Sequence, residues 1–190
     1  MREKEDEMKR HLMILSVFVL FVVNCGCATI YKTAVDERSV STIASDTRIK
    51  AEILEGFVKD DTIKTLDISA ACFDGHVYLA GEYETEKQKN RAIEVAKKTD
   101  GVKDVTTYLL RKKKDDSCGI DDNVAITAKV KGNLIKDKDI WSTNVEVKSI
   151  QCNVVLLGIV GSKEEIQKAI LHAKSVEGVR SVKSFLRSAK

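Results

Sequence analysis

The feature of this sequence that most constrains its fold is an internal repeat. Residues 46–111 align with residues 123–188 at a constant offset of 77 positions without a gap, and 16 of the 66 aligned pairs are identical. Most other core pairs stay apolar, as Ile53 and Val130 do. An ungapped alignment of this length indicates that a whole folding unit has been duplicated. Two copies favour tandem globular modules over a solenoid, which needs three or more units.

Each copy begins with a predicted helix. In the first copy, Ile49, Ile53 and Phe57 recur at every fourth position, which places them on one helix face. Asp46 or Ser45 is the predicted N-cap, because a short polar side chain there accepts hydrogen bonds from the free amides of the first turn. The equivalent positions of the second copy are also apolar. Both helices are therefore predicted to face a core.

A β-hairpin and a second helix follow in each copy. The hairpin turns are predicted at Asp74-Gly75 and at Gln151–Asn153, between runs with the alternating pattern of strands. The second helices are predicted to begin at the capping boxes Thr85–Gln88 and Ser162–Glu165, which match S/T-x-x-E/Q. Each of these helices is predicted to end near a glycine, after which an apolar stretch predicts a last strand.

The resulting order, αββαβ, predicts an α+β fold. We expect two tandem modules, each a three-stranded mixed sheet with two helices on one face, since three strands are too few to bury both faces of a sheet. The predicted divisions are a signal peptide at 1–26, a tether at 27–43, modules at 44–111 and 122–190, and a linker at 112–121. The linker is long enough for the modules either to pack together or to separate, and the sequence leaves this open.

The N-terminal segment has the pattern of a targeting signal. An apolar run at residues 12–23 follows Lys9-Arg10. This run has the length of a signal-peptide core, whereas a membrane-spanning helix needs ~20 apolar residues. A start at Met8 gives the basic leading segment that such signals have, while a start at Met1 adds four acidic residues. Both starts stay open.

A cysteine closely follows this apolar run. Cys27 comes directly after Gly26, and a small residue before Cys at this place resembles the lipobox of bacterial lipoproteins, whose cysteine is lipidated. Cys25 is the alternative site, and an ordinary secretory signal is the alternative function of the segment. Two or three acyl chains on one residue anchor a protein stably. Neither cysteine is followed by Asp, so the predicted location is the periplasm, with the lipid anchor in the outer membrane.

Two short motifs occur in both copies and carry a family resemblance. They are an apolar stretch that ends in glycine, at Gly75–Gly81 and Asn153–Gly158, and a G-V-x-x-V motif, at Gly101–Val105 and Gly178–Val182. On these motifs the chain resembles the double-BON-domain envelope proteins of Gram-negative bacteria, over about residues 36–188. It is similar to the division-associated outer-membrane-maintenance lipoproteins and to the osmotically inducible periplasmic proteins of that family.

The resemblance carries expectations beyond those of the residue pattern. It implies the αββαβ fold, a periplasmic or outer-membrane location, and binding to phospholipid rather than catalysis. One departure from the family pattern is Cys152, which stands where a turn glycine is usual. This departure affects only the expected geometry of the turn.

The charge of the chain is small overall but unevenly distributed. With 32 basic and 29 acidic residues the net charge is +3, and aromatic residues make up 5%. These values exclude a dedicated nucleic-acid binder and an aromatic stacking platform. Residues 123–190, however, contain 12 basic and 6 acidic residues. The second module is therefore the better candidate for binding an anionic phospholipid membrane.

Five residues of the second module are the candidate lipid-binding residues. They are one interfacial aromatic residue and four cations: Trp141, Lys163, Lys168, Arg180 and Lys183. Trp favours the interface between membrane and water. The alternative for each cation is an ordinary solvated surface, and the alternative for Trp141 is packing in a loop or core.

The thiols and imidazoles do not predict a metal site. Once Cys27 is lipidated, Cys72, Cys118 and Cys152 remain, which allows at most one disulfide and leaves one free thiol. A bridge between Cys72 and Cys152 is one possibility. The histidines share no metal-ligand spacing.

The sequence also lacks the signals of an enzyme. There is no glycine-rich phosphate loop, and the two copies share core and turn residues but no evident polar constellation. We therefore expect no catalysis, cofactor, metal, nucleic-acid partner or small-molecule substrate. The predicted function is binding of anionic phospholipid in support of envelope integrity. The alternatives are a periplasmic adaptor that binds envelope proteins and an uncharacterised hydrolase.

Overall fold

The computed structural model describes residues 36–63 and 67–189. Asp36–Lys190 form one compact unit. The predicted signal peptide, both possible start residues and the candidate lipidation sites Cys25 and Cys27 lie outside the described residues. Within the described ranges no helix is long and apolar enough to cross a membrane.

The first module has the predicted order of elements. They are α1 (Val40–Val58), β1 (Ile68–Phe73), β2 (His76–Tyr83), α2 (Glu86–Lys98) and β3 (Asp104–Arg111). β2 is the central strand, antiparallel to β1 and parallel to β3.

The second module repeats this order. Its elements are α3 (Ile120–Lys136), a short 3-10 turn (Ser142–Asn144), β4 (Val145–Ile150), β5 (Asn153–Val160), α4 (Lys163–Lys174) and β6 (Ser181–Ser188). β5 is antiparallel to β4 and parallel to β6. The α+β fold with two mixed three-stranded sheets is therefore confirmed.

Both helices of each module cover the same face of their sheet, as predicted. In the first module, Ile49, Ile53 and Phe57 of α1 are almost completely buried against Val77 and Leu79 of β2, and the α2 alanines complete this core. The second module has an equivalent core built from α3, α4 and its own sheet. Each module thus encloses a hydrophobic core of its own.

The opposite faces of the two sheets pack against each other. A third apolar cluster joins Phe73 and Tyr78 of the first module to Val155 and Leu157 of the second. The rings of Tyr78 and Phe185 lie 5.7 Å apart between centroids. The two modules are therefore packed together. This is one of the two arrangements that the length of the linker allows.

Polar contacts secure the edge of this interface. Arg187 donates from Nη2 to the carbonyl oxygen of Phe73 at 2.9 Å. Gln151, in the β4–β5 turn, donates from Nε2 to Glu82 at 2.8 Å and to the carbonyl oxygen of Arg111 at 2.9 Å. Gln151 is buried, so these bonds satisfy a side chain that water does not reach.

The predicted start of the first helix is wrong. The N-cap is Ser39, whose hydroxyl accepts a hydrogen bond from the Thr42 amide at 3.1 Å, and neither Asp46 nor Ser45 caps the helix. α1 therefore includes the last residues of the predicted tether. Four of the seven positions before Asp46 carry short polar residues that can cap a helix, so the local pattern could not select one of them.

The predicted capping boxes of the second helices are confirmed. The hydroxyls of Thr85 and Ser162 accept from the amides of Gln88 and Glu165, each at 3.1 Å. The side chains of these two residues accept in return from amides that precede the helix, those of Glu84 and Gly161. Two otherwise unpaired amides per helix are satisfied in this way.

The glycine that ends each apolar motif has a steric role. Gly81 and Gly158 have φ angles of 154° and 143°. A Cβ atom at either position would lie 2.0 Å from a backbone carbonyl oxygen, that of Asp67 or of Asn144. Only glycine allows this close approach of the backbone to the segment that enters the hairpin.

Candidate lipid-binding surface

The outer face of α3 is unusually apolar for an exposed surface. Ile126, Val130 and Leu134 point into the core, and an exposed stripe runs along the opposite side of the helix. We call this the α3 stripe; its residues, at helical spacings of three and four, are Ile120, Val124, Ala128, Lys131 and Ile135. The exposed fractions of its large apolar side chains are 83% for Ile120, 63% for Val124 and 70% for Ile135.

Lysines accompany the α3 stripe. Lys131 belongs to it, and Lys129 and Lys136 lie on one flank. All three side chains are exposed, and among the described residues they make no salt bridge. Their charges are therefore available to an external anion, in contrast to those of many other cations of the chain.

Trp141 lies in the loop that follows α3. It is 48% exposed, and its backbone amide donates to Glu165 at 2.8 Å. Glu165 is buried and held by the capping box of α4, so the backbone beside the indole is fixed. Leu171 on α4, which packs against α3, is 65% exposed. The helix layer of the second module thus presents several large apolar side chains to solvent.

The structure does not bring the predicted cations together. Lys163 is exposed at the first turn of α4, whereas Lys168 on the same helix is paired with Asp139. Arg180 precedes β6, and Lys183 lies in β6 with its Nζ 5.3 Å from the Phe185 ring centroid. The roles of these four residues stay predictions.

The side chain of Arg180 is bonded to the linker. Its guanidinium lies 2.7 Å from a carboxylate oxygen of Asp116 and donates to the Ser117 hydroxyl at 2.6 Å. The hydrogen bond from Arg180, together with that from the Cys118 amide, lowers the pKa of Asp116 to about 2. The positive charge of Arg180 is therefore largely neutralised at neutral pH.

A polar constellation that the sequence did not reveal occurs in both modules. In the first, Asp46 of α1 accepts hydrogen bonds from the amides of Asp74 and Gly75, both at 2.8 Å, and from the Cys72 thiol at 3.2 Å. Arg38 also donates to it at 2.6 Å. We call this arrangement of helix side chain and hairpin turn the helix–hairpin clasp.

The clasp of the second module uses residues at the equivalent positions. Asn123 of α3 accepts from the Cys152 amide at 3.0 Å and from the Ser149 hydroxyl at 2.9 Å. Each of these three residues stands 77 positions after its counterpart, Asp46, Gly75 or Cys72. The expectation that the copies share no polar constellation is therefore wrong. The sequence signal for it was the alignment of Asp46 with Asn123 in the repeat.

The environment of Asp46 favours its charged form. Burial raises its pKa, but the hydrogen bonds from Gly75, Asp74, Cys72 and Arg38 outweigh this effect, so its pKa lies below the ordinary value. Burial, followed by the bond to Asp46, raises the pKa of the Cys72 thiol to about 12. Cys72 is therefore a buried, protonated thiol at neutral pH.

The described residues form one disulfide, and it differs from the Cys72–Cys152 bridge named above. Cys152 bonds to Cys118 in the linker, with a Cα–Cα distance of 5.8 Å, and Cys72 is the free thiol. Cys72 donates to Asp46 instead of bonding to another cysteine. The expected limit of one disulfide and one free thiol among these three residues is confirmed.

A cleft of about 280 Å³ lies beside this disulfide. It is lined by Cys152 and by polar and charged residues, among them Ser117, Asp122, Lys129 and Arg180. The Ser117 hydroxyl faces the Arg180 guanidinium rather than a general base.

The histidines of the described chain do not line the cleft: His76 pairs with Asp104 and His172 with Asp137. Among the described residues no group of three His, Cys, Asp or Glu side chains could hold a metal ion.

Comparison with known families decides the relationship of the chain. The family model for the BON domain matches residues 45–111 and 121–190. The chain belongs to the BON domain family. The two matched ranges correspond to the two modules, so the resemblance inferred from the glycine and G-V-x-x-V motifs is confirmed.

Two relatives extend over most of the chain. Osmotically-inducible protein Y of Escherichia coli (strain K12) is 34% identical over 151 residues, which cover 78% of this chain and 75% of that protein. Outer membrane lipoprotein DolP of Haemophilus influenzae is 28% identical over 180 residues, which cover 91% of this chain and 93% of that protein.

A solved structure gives a more distant match to the BON domains. It is the C-terminal domain of CdsD, a structural protein of the type III secretion system of Chlamydia trachomatis. The match has 15% identity and a TM-score of 0.31 and covers 75% of this chain and 66% of the other. A likeness this distant does not bear on function.

Proposed function

We propose that this chain is a non-enzymatic envelope lipoprotein that binds anionic phospholipid and supports the integrity of the outer membrane. The anchor is Cys27, and the second BON domain contacts the membrane. Similarity to an outer membrane lipoprotein and to an osmotically inducible protein supports the envelope location. The Cys118–Cys152 disulfide supports it independently, because disulfides persist in oxidising compartments such as the periplasm and are rare in the cytosol.

The observation that carries the lipid-binding proposal is the α3 stripe with its unpaired lysines. An amphipathic helix that lies in a membrane interface buries an apolar face among the headgroups and places lysines against anionic lipid. Ile120, Val124 and Ile135 supply the apolar face on a helix whose other side is already fixed to a core. Full burial of one such side chain contributes ~1.5–3 kcal/mol.

Electrostatics selects the class of lipid. Each lysine near an anionic leaflet contributes ~1 kcal/mol, and this contribution decreases as salt increases. Lys129, Lys131 and Lys136 bring these charges to the stripe without acidic partners among the described residues. The proposed lipid is therefore anionic, of the phosphatidylglycerol or cardiolipin type.

Trp141 and Lys163 extend this surface to the loop after α3 and to the start of α4. Trp141 is exposed on a fixed loop, and Trp at a membrane interface buries its ring while its N–H stays at headgroup level. Lys163 adds an exposed charge on α4. Lys168 and Arg180 contribute less in this proposal because their charges are paired with Asp139 and Asp116.

Flotation with lipid vesicles tests the proposal. The chain from residue 28 onwards contains the whole compact unit and lacks the lipid anchor, so its binding reports the surface alone. We expect it to float with phosphatidylglycerol vesicles at low salt, to float less as salt is added, and to stay unbound with phosphatidylcholine vesicles. Absence of binding to phosphatidylglycerol and cardiolipin vesicles at low salt would favour the adaptor function, in which the stripe binds an envelope protein.

Metabolic labelling tests the anchor separately. The full-length chain should incorporate palmitate, and Cys27→Ala should abolish the label. Retention of the label in Cys27→Ala with loss in Cys25→Ala would move the anchor to Cys25. Absence of label in the unaltered chain would contradict lipidation.

A further inference from the structure

The Cys118–Cys152 disulfide joins the linker to the hairpin turn at the point where α3 begins. Cys118 directly precedes Gly119, the N-cap of α3, and Cys152 lies in the β4–β5 turn. Both cysteines are buried and belong to the core cluster of the second module. The disulfide is therefore a covalent bond between the start of the helix and the body of the domain.

Little else holds the first turns of α3 to that body. Gly119 has no side chain to cap the helix, and the residues from Ile120 to Ala125 are exposed except Asn123, which is half-buried. The first core residue of the helix is Ile126. Asn123 is bonded to the hairpin, and upstream Asp116 and Ser117 are bonded to Arg180. Between these two attachments Cys118 is the one buried residue.

The corresponding region of the first module is secured differently. Ser39 caps α1 with its hydroxyl, and Arg38 donates to both Asp46 and the carbonyl oxygen of Cys72 at the hairpin. Arg38 also lies over the Phe73 ring, 4.9 Å from its centroid. The ion-paired Arg38 thus holds the start of the helix to the hairpin in the first module, at the place where the second module has a disulfide.

The hairpin turn that carries Cys152 is itself held in an unusual conformation. Gln151 and Cys152 have φ angles of 49° and 57°, a region that residues other than glycine seldom adopt. Gln151 is fixed by Glu82 and the Arg111 carbonyl, and the Cys152 amide by Asn123. The turn is therefore a well-fixed attachment point for the linker.

We propose that the Cys118–Cys152 disulfide is a redox-sensitive staple that positions Ile120 and Val124 in the α3 stripe, and that its reduction weakens binding to anionic membranes. This inference rests on the proposed function of the stripe. Cys118 and Cys152 are positioning residues, because they act through the helix and do not touch lipid.

The chemistry of release is ordinary thiol–disulfide exchange with a dithiol reductant. A reductant thiolate attacks one sulfur of the disulfide, and the other cysteine leaves as a thiolate and takes up a proton. The second thiol of the reductant then attacks the reductant sulfur of this mixed disulfide. The cysteine that was attached to it leaves and is also protonated. Two electrons and two protons pass to the protein, and the reductant becomes a disulfide. Cys152 lines the cleft described above, and we propose that a small reductant approaches the disulfide from this side.

Hydrogen exchange measures the staple directly. The amides of Asn123–Ile126 donate to carbonyls of the first turn, so they lose protection if that turn is released. In the chain from residue 28, dithiothreitol should speed their exchange ~10-fold or more, as expected for a locally released helix end. The amides of Asp46–Ile49 are equivalent in the repeat but lie further inside α1, and they should not change. Equal protection of α3 in both redox states would overturn the proposal.

Vesicle binding measures the consequence. Reduction should weaken flotation with phosphatidylglycerol vesicles ~10-fold, since two apolar side chains lose their fixed place in the interface. Cys118→Ser/Cys152→Ser should bind like the reduced chain whether or not dithiothreitol is present. Cys72→Ser keeps the disulfide, and it should respond to dithiothreitol as the unaltered chain does.

The outcomes separate this inference from the proposed function. Strong binding in both redox states, with faster exchange in the reduced state, would show that the staple does not serve the membrane surface and would overturn the coupling. Failure of the oxidised chain to float would instead contradict the proposed function. Circular dichroism at the assay temperature shows whether reduced and variant chains are still folded, so loss of binding is not confused with global unfolding.

Discussion

The two BON domains of this chain have kept the same interior and acquired different surfaces. Residues 46–111 contain 11 basic and 13 acidic side chains, whereas residues 123–188 contain 11 basic and 6 acidic ones. The cores, the capping boxes, the steric glycines and the helix–hairpin clasp match position for position. The difference therefore lies in charge and in the outer helix faces. This difference is the basis for placing the proposed membrane surface on the second domain.

The comparison also separates two ways of holding a helix to its hairpin. The first domain uses charge, through Arg38 and Asp46, and the second uses a neutral Asn123 with a disulfide. A buried charge that loses its partner costs more than a neutral group that does so. Equivalent substitutions in the two domains should therefore have unequal effects.

Removal of the clasp side chain should have the largest effect. Asp46→Ala leaves two hairpin amides without their acceptor and removes one of the two carboxylates paired with Arg38, which keeps Asp36, so we expect a loss of ~3–5 kcal/mol in the free energy of unfolding. Asn123→Ala removes only neutral hydrogen bonds and should cost ~1–3 kcal/mol. Urea unfolding followed by circular dichroism measures both values. Equal losses would contradict the distinction between a charged and a neutral clasp.

Substitution of one exposed residue at the same position in each domain isolates the membrane surface. Val58 and Ile135 are equivalent in the repeat and are 73% and 70% exposed. Ile135→Gln should weaken flotation with phosphatidylglycerol vesicles ~10-fold, because loss of ~1.5 kcal/mol of apolar burial corresponds to that factor. Val58→Gln should leave binding unchanged. A similar loss in both variants would mean that the two helix faces contribute alike.

Acid should test the charged clasp through its pKa. The pKa of Asp46 in the folded chain lies below its ordinary value of 3.8, so the carboxylate stabilises the fold above that pH. This stabilisation is lost as the pH falls below about 4 and through the folded-state pKa. Thermal melts between pH 7 and pH 2 should show a weaker acid dependence in Asp46→Asn than in the unaltered chain. An identical dependence would exclude Asp46 as a contributor.

Cys72 should give the smallest effect. Its pKa of about 12 and its burial keep the thiol protonated and inaccessible, so Ellman's reagent should label it only after denaturation. Cys72→Ser should change stability by no more than about 1 kcal/mol, because Ser149 makes the same hydrogen bond in the second domain. Rapid labelling of the native chain would contradict the burial and hydrogen bonding of Cys72.

Most of the fold was predictable because it is encoded locally and repeated. The periodic apolar positions, the two capping boxes and the hairpin turns each determine short-range structure, and the repeat allowed every assignment to be made twice. The start of α1 was not predictable, since Ser39, Ser45 and Asp46 are all suitable N-caps and only tertiary contacts distinguish them. Asp46 is of a residue type that often caps helices, but its side chain binds the hairpin turn 28 residues away.

The site was less predictable for a related reason. Trp141 and Lys163 were identified by residue type and are exposed, but Lys168 and Arg180 carry the same charge and are paired with acids distant in sequence. Four of the five residues of the α3 stripe are apolar, and in a single sequence apolar residues on a helix favour burial. Only the fold shows that Ile120 and Ile135 face outwards. The packing of sheet against sheet and the Cys118–Cys152 pairing likewise depend on long-range contacts.

The central claim is that the second BON domain binds anionic membranes through α3, and one measurement tests it most directly. Flotation of the chain from residue 28 with phosphatidylglycerol vesicles at low salt compares two triple variants, Lys129→Gln/Lys131→Gln/Lys136→Gln on α3 and Lys87→Gln/Lys97→Gln/Lys98→Gln on α2. Three lysines at ~1 kcal/mol each predict a ~100-fold loss of affinity for the α3 variant, with less than about a twofold change for the α2 variant. Equal binding by the two variants would contradict the claim.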